Sequence, residues 1–208
     1  MPRVGNTVIA AVTAVALGSG AWLLHSGAET HAPPQPSAAQ ARSGGADVTT
    51  RSAPALPPSP PDRVRIPAIH VDAPLTGLAL TPSGSLDVPP AVKENLAGWY
   101  EAGTTPGERG TAIVAGHVDN ADGPAVFYDL GALRKGSTVE VDRRDGSVAV
   151  FTVDAVEVYR ASDFPDGKVY GAADRPELRV ITCGGGYSKA TGYQGNVVVF
   201  AHLTSSRT

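Results

Sequence analysis

The chain has 208 residues, 42% hydrophobic and 18% charged, which is enough apolar content for one ordinary core plus accessory segments. Its 17 basic and 20 acidic residues give a net charge of −3, and neither sign forms a long block, so the clustered basic face of a nucleic-acid binder is missing. A single cysteine, Cys183, rules out an internal disulfide and leaves one free thiol to account for.

In chain order, residues 7–24 come first and carry no charge. As a helix they would span roughly 27 Å, close to the thickness of a bilayer core. Arg3 precedes the run and Glu29 is the first acidic residue after it, so the positive-inside rule keeps the N-terminus cytoplasmic and sends the remainder outside. Trp22 stands near the outer end, where an indole suits the interface. The expectation is a single-pass anchor over residues 1–25. A cleaved signal peptide is the competing reading, and both export the chain. Residues 26–61 are rich in Pro, Ala, Ser and Gly and poor in large apolar side chains, which predicts a disordered or partly polyproline II linker. Its last stretch, residues 54–61, reads as a semi-rigid spacer.

From Asp62 onward the pattern changes to short β-type runs divided by Gly, Pro and Asp. Strands are predicted over residues 63–66, 73–80, 111–118, 138–142, 147–159, 177–183 and 196–203, with a hairpin turn at Arg143-Arg144-Asp145-Gly146. Short helical pieces are predicted over 90–96, 126–133 and 162–170. Many short strands between frequent turns imply a closed barrel or a sandwich filling residues 62–208.

Two strand ends carry the chemistry. One reads Leu178-Arg179-Val180-Ile181-Thr182-Cys183-Gly184-Gly185-Gly186, a β run that delivers a thiol to its end with three glycines behind it. Glycines there allow close approach of backbone and substrate. The other reads Thr111-Ala112-Ile113-Val114-Ala115-Gly116-His117-Val118-Asp119-Asn120, which brings an imidazole to the end of an apolar strand. The default for His25, His31, His70 and His202 is a solvated or core-satisfied side chain. A thiol has a pKa of about 8.5, so it needs a base to become a nucleophile at neutral pH, and an imidazole can later return the proton to a leaving amine.

The Ile-Thr-Cys end, the Val-Ala-Gly-His end and the final Asn196-Val197-Val198-Val199-Phe200-Ala201 strand, in that order, resemble the sortases. Residues 65–69, 71–75 and 126–130 agree with the same pattern. The Thr182-Cys183-Gly184-Gly185 continuation is most like class F, with class E the near competitor. The resemblance implies an all-β, closed eight-stranded barrel with short helices, preceded by the transmembrane helix and stalk. It implies a cell-membrane enzyme of a Gram-positive bacterium, with its catalytic domain outside. That enzyme would cleave a C-terminal Leu-Pro-X-Thr-Gly-type signal on surface proteins through a Cys183 acyl-thioester. His117 would be the acid/base, a cell-wall or protein amine the acceptor, and neither a metal nor an organic cofactor is called for. A hydrolase that releases the peptides, or a weak or inactive barrel that only binds them, is the alternative. One departure stands out. Where the family carries an arginine, this chain has Thr191-Gly192-Tyr193-Gln194-Gly195-Asn196-Val197, so Gln194 or Asn196 becomes the candidate neutral donor to the oxyanion, unless Arg175 or Arg179 reaches in. The L,D-transpeptidases, with their His-Gly-Cys type of site, fit badly.

Overall fold

The computed structural model describes residues 32–41 and 52–208. Its strands are of two kinds, those that alternate buried with half-exposed residues and those that are buried almost continuously. In Thr138–Arg143 (β7) every second residue is buried, placing Val139 and Val141 inside. The remaining barrel strands are Pro61–Ile66 (β1), Val71–Leu78 (β2), Ala97–Tyr100 (β3), Gly110–Gly116 (β4), Val148–Arg160 (β8), Pro176–Ser188 (β9) and Gly192–Arg207 (β10). They hydrogen-bond in the order β1-β2-β3-β4-β9-β10-β8-β7, and β7 returns to β1, so the eight-stranded barrel is closed. A small two-stranded ribbon, Asp119–Asn120 (β5) with Gly123–Pro124 (β6), follows β4.

The interior is filled by β-branched and large apolar side chains, among them Val64, Ile66, Val114, Phe151, Leu178, Val180, Val197, Val199 and Leu203. A second apolar cluster lies on the outside of the wall. There Ile113, Ile181, Val198 and Phe200 are joined by Val169 of the short helix Asp166–Val169 (α1) and by Phe164. The β10 ladder shifts register against β8 between Phe200 and Ala201 and again between Leu203 and Ser205, and such bulges bend a long strand around a barrel.

Several local expectations are corrected. Ala97–Tyr100 is a strand that the sequence reading passed over, and residues 90–96 form turns where a helix was expected. The predicted helix over 126–133 shrinks to a single 3-10 turn, Leu130–Ala132, and that over 162–170 to a 3-10 turn plus α1. The hairpin turn lies where predicted: the Gly146 N–H donates to the Arg143 carbonyl, and Gly146 has φ of 82°.

Residues 52–60 run against the barrel, although the reading expected a spacer there. Ala53 N–H donates to Leu203 O (2.9 Å) and Leu56 N–H to Gly107 O (2.8 Å). Ser59 is buried, and the buried Arg143 guanidinium donates to the Pro57 carbonyl. Prolines suit such a strap because an extended proline segment has few backbone donors to satisfy. Among the described residues no helix is long and apolar enough to cross a membrane; the run 7–24 read as an anchor lies outside them.

Candidate active site

Strand parity decides which side chains share a face. In β9, Leu178 and Val180 point into the main core and Ile181 into the outer cluster, so Cys183, two residues on, faces outward. In β4, Ala112 and Val114 point inward and Ile113 outward, and His117 has the parity of Ile113. In β10, Val197 and Val199 point inward and Val198 outward, and Asn196 has the parity of Val198. The parallel β4–β9 ladder ends with Ala115 opposite Ile181, which sets His117 and Cys183 two residues further along adjacent chains. Asn196 is the β10 partner directly opposite Cys183. Thiol, imidazole and one amide therefore belong to neighbouring positions on the outer face of the same barrel rim.

The residues just before each of these are tied together. Thr182 Oγ1, almost fully buried, donates to the Gly116 carbonyl (2.8 Å), which locks the end of β9 to the end of β4. Gly116 must be glycine for packing reasons: a Cβ there would stand 2.7 Å from both Val126 Cγ1 and Phe127 Cδ2. Phe127, wholly buried, donates its N–H to the His117 carbonyl (3.0 Å) and backs the histidine from the inside.

His117 Nε2 donates to the Pro89 carbonyl (2.7 Å), because that oxygen can only accept. The ring is thus oriented by the 86–94 connection, whose Ala91 carbonyl also accepts from Asn120 Nδ2 (2.9 Å), and the neutral ring's acceptor nitrogen is then Nδ1. Cys183 is exposed. Its thiol is pushed up from the ordinary value by partial desolvation and then by the negative charge of Asp119, so it rests in the protonated state at neutral pH. Tyr193 O–H donates to Asp119 Oδ2; burial, and then that bond, push the phenol up, so it too stays protonated.

Of the two amide candidates, Asn196 is half-buried beside the sulfur and donates weakly through Nδ2 to the Thr182 carbonyl (3.4 Å). Gln194 sits exposed in the bulge between Tyr193 and Gly195. Neither arginine proposed to reach in does so. Arg179 Nη2 donates to Glu177 Oε2 (2.6 Å) and its guanidinium lies 4.7 Å from the Phe200 ring centroid, while Arg175 Nε donates to Glu177 Oε1 (3.0 Å). His70 is exposed, and His202 is fully buried with Nδ1 2.7 Å from Asp154 Oδ1, both apart from the rim. Pro89, Asp119 and Tyr193 are the site residues that sequence reasoning missed. Asp119 was within reach of it, since it follows His117 by two residues. Pro89 acts through a backbone oxygen, which leaves no signature in a side-chain pattern.

Along the outside of β4 from His117, an open cavity of about 980 Å³ lies against the strand's other end, lined by Leu86, Tyr100, Thr111, Ile113 and Tyr170 among others. Among the described residues no group of three or more His, Cys, Asp or Glu is arranged to hold a metal ion.

Compared with known proteins, residues 64–204 match the family model of the sortase domain. Sortase A from Corynebacterium diphtheriae is similar at 19% identity and a TM-score of 0.54, over 71% of this chain and 62% of that one. Sortase A of Listeria monocytogenes is similar at 14% identity and 0.53, over 72% and 90%. A sortase D5 transpeptidase of Clostridium perfringens is similar at 20% identity and 0.52, over 70% and 79%. A search of curated proteins found no match.

Proposed function

From the membership of this chain in the sortase family, a family of cysteine transpeptidases, we propose that it cleaves a C-terminal sorting signal of the Leu-Pro-X-Thr-Gly type on exported proteins and transfers the acyl part to an amine. Cys183 is the nucleophile. As its sulfur attacks the threonine carbonyl carbon, the thiol proton passes to His117 Nδ1, and the developing oxyanion faces the Asn196 amide. The C–N bond then breaks, the imidazolium returns the proton to the departing glycine amine, and an acyl-thioester remains. An incoming amine resolves it with formation of a new amide.

One observation carries this reading: the shared outward face of Cys183, His117 and Asn196, with Thr182 tied to Gly116 behind them. The cavity beside Ile113 and Tyr170, at the other end of β4, would receive the upstream part of an extended peptide. Within the family, the Thr182-Cys183-Gly184-Gly185 stretch supports class F. Attachment to the cell membrane through residues 7–24, with the barrel outside, is part of the same proposal and rests on their charge pattern.

The test is mass spectrometry of the chain mixed with a library of sorting-signal peptides. A thioester adduct on Cys183 is the expected result, absent in Cys183→Ala. Unchanged cleavage by that variant would refute the assigned nucleophile. The raised thiol and the missing arginine favour a second reading, a barrel that binds such peptides without turning them over. Saturable peptide binding with no adduct would select it.

A further inference from the structure

Asp119 and Tyr193 form a pair that the acylation step does not use. Asp119 opens the β5–β6 ribbon two residues past His117, and Tyr193 lies at the start of β10, next to the bulge that precedes Asn196. Their hydrogen bond joins the segment that follows the imidazole to the hairpin that carries the sulfur. Tyr193 engages only Oδ2 of the carboxylate; among the described residues no donor is bonded to Oδ1. Across the hairpin the Tyr193 and Tyr187 rings pack edge to face at 5.2 Å between centroids, and Tyr187 is 64% exposed, so the ring whose hydroxyl holds the carboxylate continues into an exposed aromatic pair. The charge that acts on the thiol is Asp119's, an anion at the rim with Arg175 and Arg179 both committed to Glu177. A fixed carboxylate next to an exposed aromatic pair is the chemistry that recognises an alkylammonium group.

We propose that Asp119, held by Tyr193, whose ring packs on Tyr187, is the docking site for the protonated amine acceptor that resolves the Cys183 acyl-thioester. The inference rests on the transpeptidase reading and adds to it which residues receive the second substrate and in which charge state. The ammonium pairs with Asp119 and gives one proton to His117, which is neutral once the first leaving group has departed. The freed amine attacks the thioester carbonyl, the C–S bond breaks, and an amide forms. Of the two protons the nitrogen sheds, one ends on the Cys183 sulfur and the other leaves to solvent through His117.

The experiment acylates the chain with a Leu-Pro-X-Thr-Gly peptide and follows the split between hydrolysis and amide formation as the acceptor is titrated. Ethylamine, cationic at neutral pH, is compared with hydroxylamine, which is neutral. Asp119→Asn keeps the shape and the bond from Tyr193. Its half-saturating ethylamine concentration, taken relative to its own rate of acylation, is expected to rise roughly tenfold, with a much smaller rise for hydroxylamine. Tyr193→Phe, which keeps the ring against Tyr187, is expected to give a smaller rise in the same direction. An unchanged ethylamine requirement in Asp119→Asn, or equal losses for both acceptors, overturns the proposal while leaving the transpeptidase reading intact. Failure of the native chain to acylate overturns both.

Discussion

At the scale of single residues, the rim differs from a simple thiol–imidazole pair in two respects. His117 is bound to the Pro89 carbonyl, and the Cys183 thiol is raised by desolvation and by Asp119. The thiol therefore ionises above its ordinary value of about 8.5, and a thiol reagent should react with it ever faster as pH climbs past that point. Asn196, opposite the sulfur, is better placed than Gln194 to donate to an oxyanion. Asn196→Ala should slow acylation roughly tenfold or more, whereas Gln194→Ala should change it less than twofold, as read by single-turnover cleavage. The cysteine and histidine were legible because each ends an apolar run, a pattern that parity turns into a shared face. Asp119 and Tyr193 stayed hidden because their link spans two segments far apart in sequence. In the stretch around Tyr193 the feature that stands out in sequence is the absent arginine.

At the scale of elements, β7 could be read from its alternation and the centres of β9 and β10 from their apolar runs, although these two strands extend to Ser188 and from Gly192 to Arg207, past the expected 177–183 and 196–203. Ala97–Tyr100 could not: four residues, one of them Gly98, hold too little pattern, and the strand is defined by its parallel ladder to β2 and its antiparallel one to β4. The helices were over-read for a related reason. Val126 and Phe127 are apolar because they plug the barrel behind Gly116, which requires no helical period. The polar knot on the outer face of β9 makes a further prediction. Burial opposes ionisation of Glu177, yet the hydrogen bond and charge of Arg179, with those of Arg175, hold its carboxyl below the ordinary glutamate value. A depressed carboxylate contributes stability above the unfolded value of about 4.3 and loses it as pH falls through the folded value. Thermal midpoints should therefore drop on acidification below about pH 4.3, and Glu177→Gln, less stable at neutral pH, should show a flatter drop.

At the scale of the molecule, the barrel closes through β1 and β7, and the strap over residues 52–60 is fastened beside that seam. It covers Arg143 at the end of β7 and takes a hydrogen bond site on β10 at Leu203. A chain shortened to begin at Asp62 keeps everything that matches the family, residues 64–204, yet it uncovers Leu203, Ala149 and the Arg143 guanidinium. Its thermal midpoint should fall by several degrees relative to a chain that begins before Ser52, as a scanning calorimeter would read it. Composition alone could not have revealed the strap, because proline-rich sequence serves equally well as a free spacer or as a packed extended segment. The difference lies in acceptors and pockets that the barrel supplies.

If the chain is held at a membrane as proposed, that strap also sets how far the thiol can travel. In a polyproline II spacer each residue adds about 3.1 Å, so committing residues 52–60 to the barrel removes roughly 28 Å from any leash that begins upstream. Under the proposed attachment through residues 7–24, substrates beyond that shortened radius would go unmet however well their signal fits.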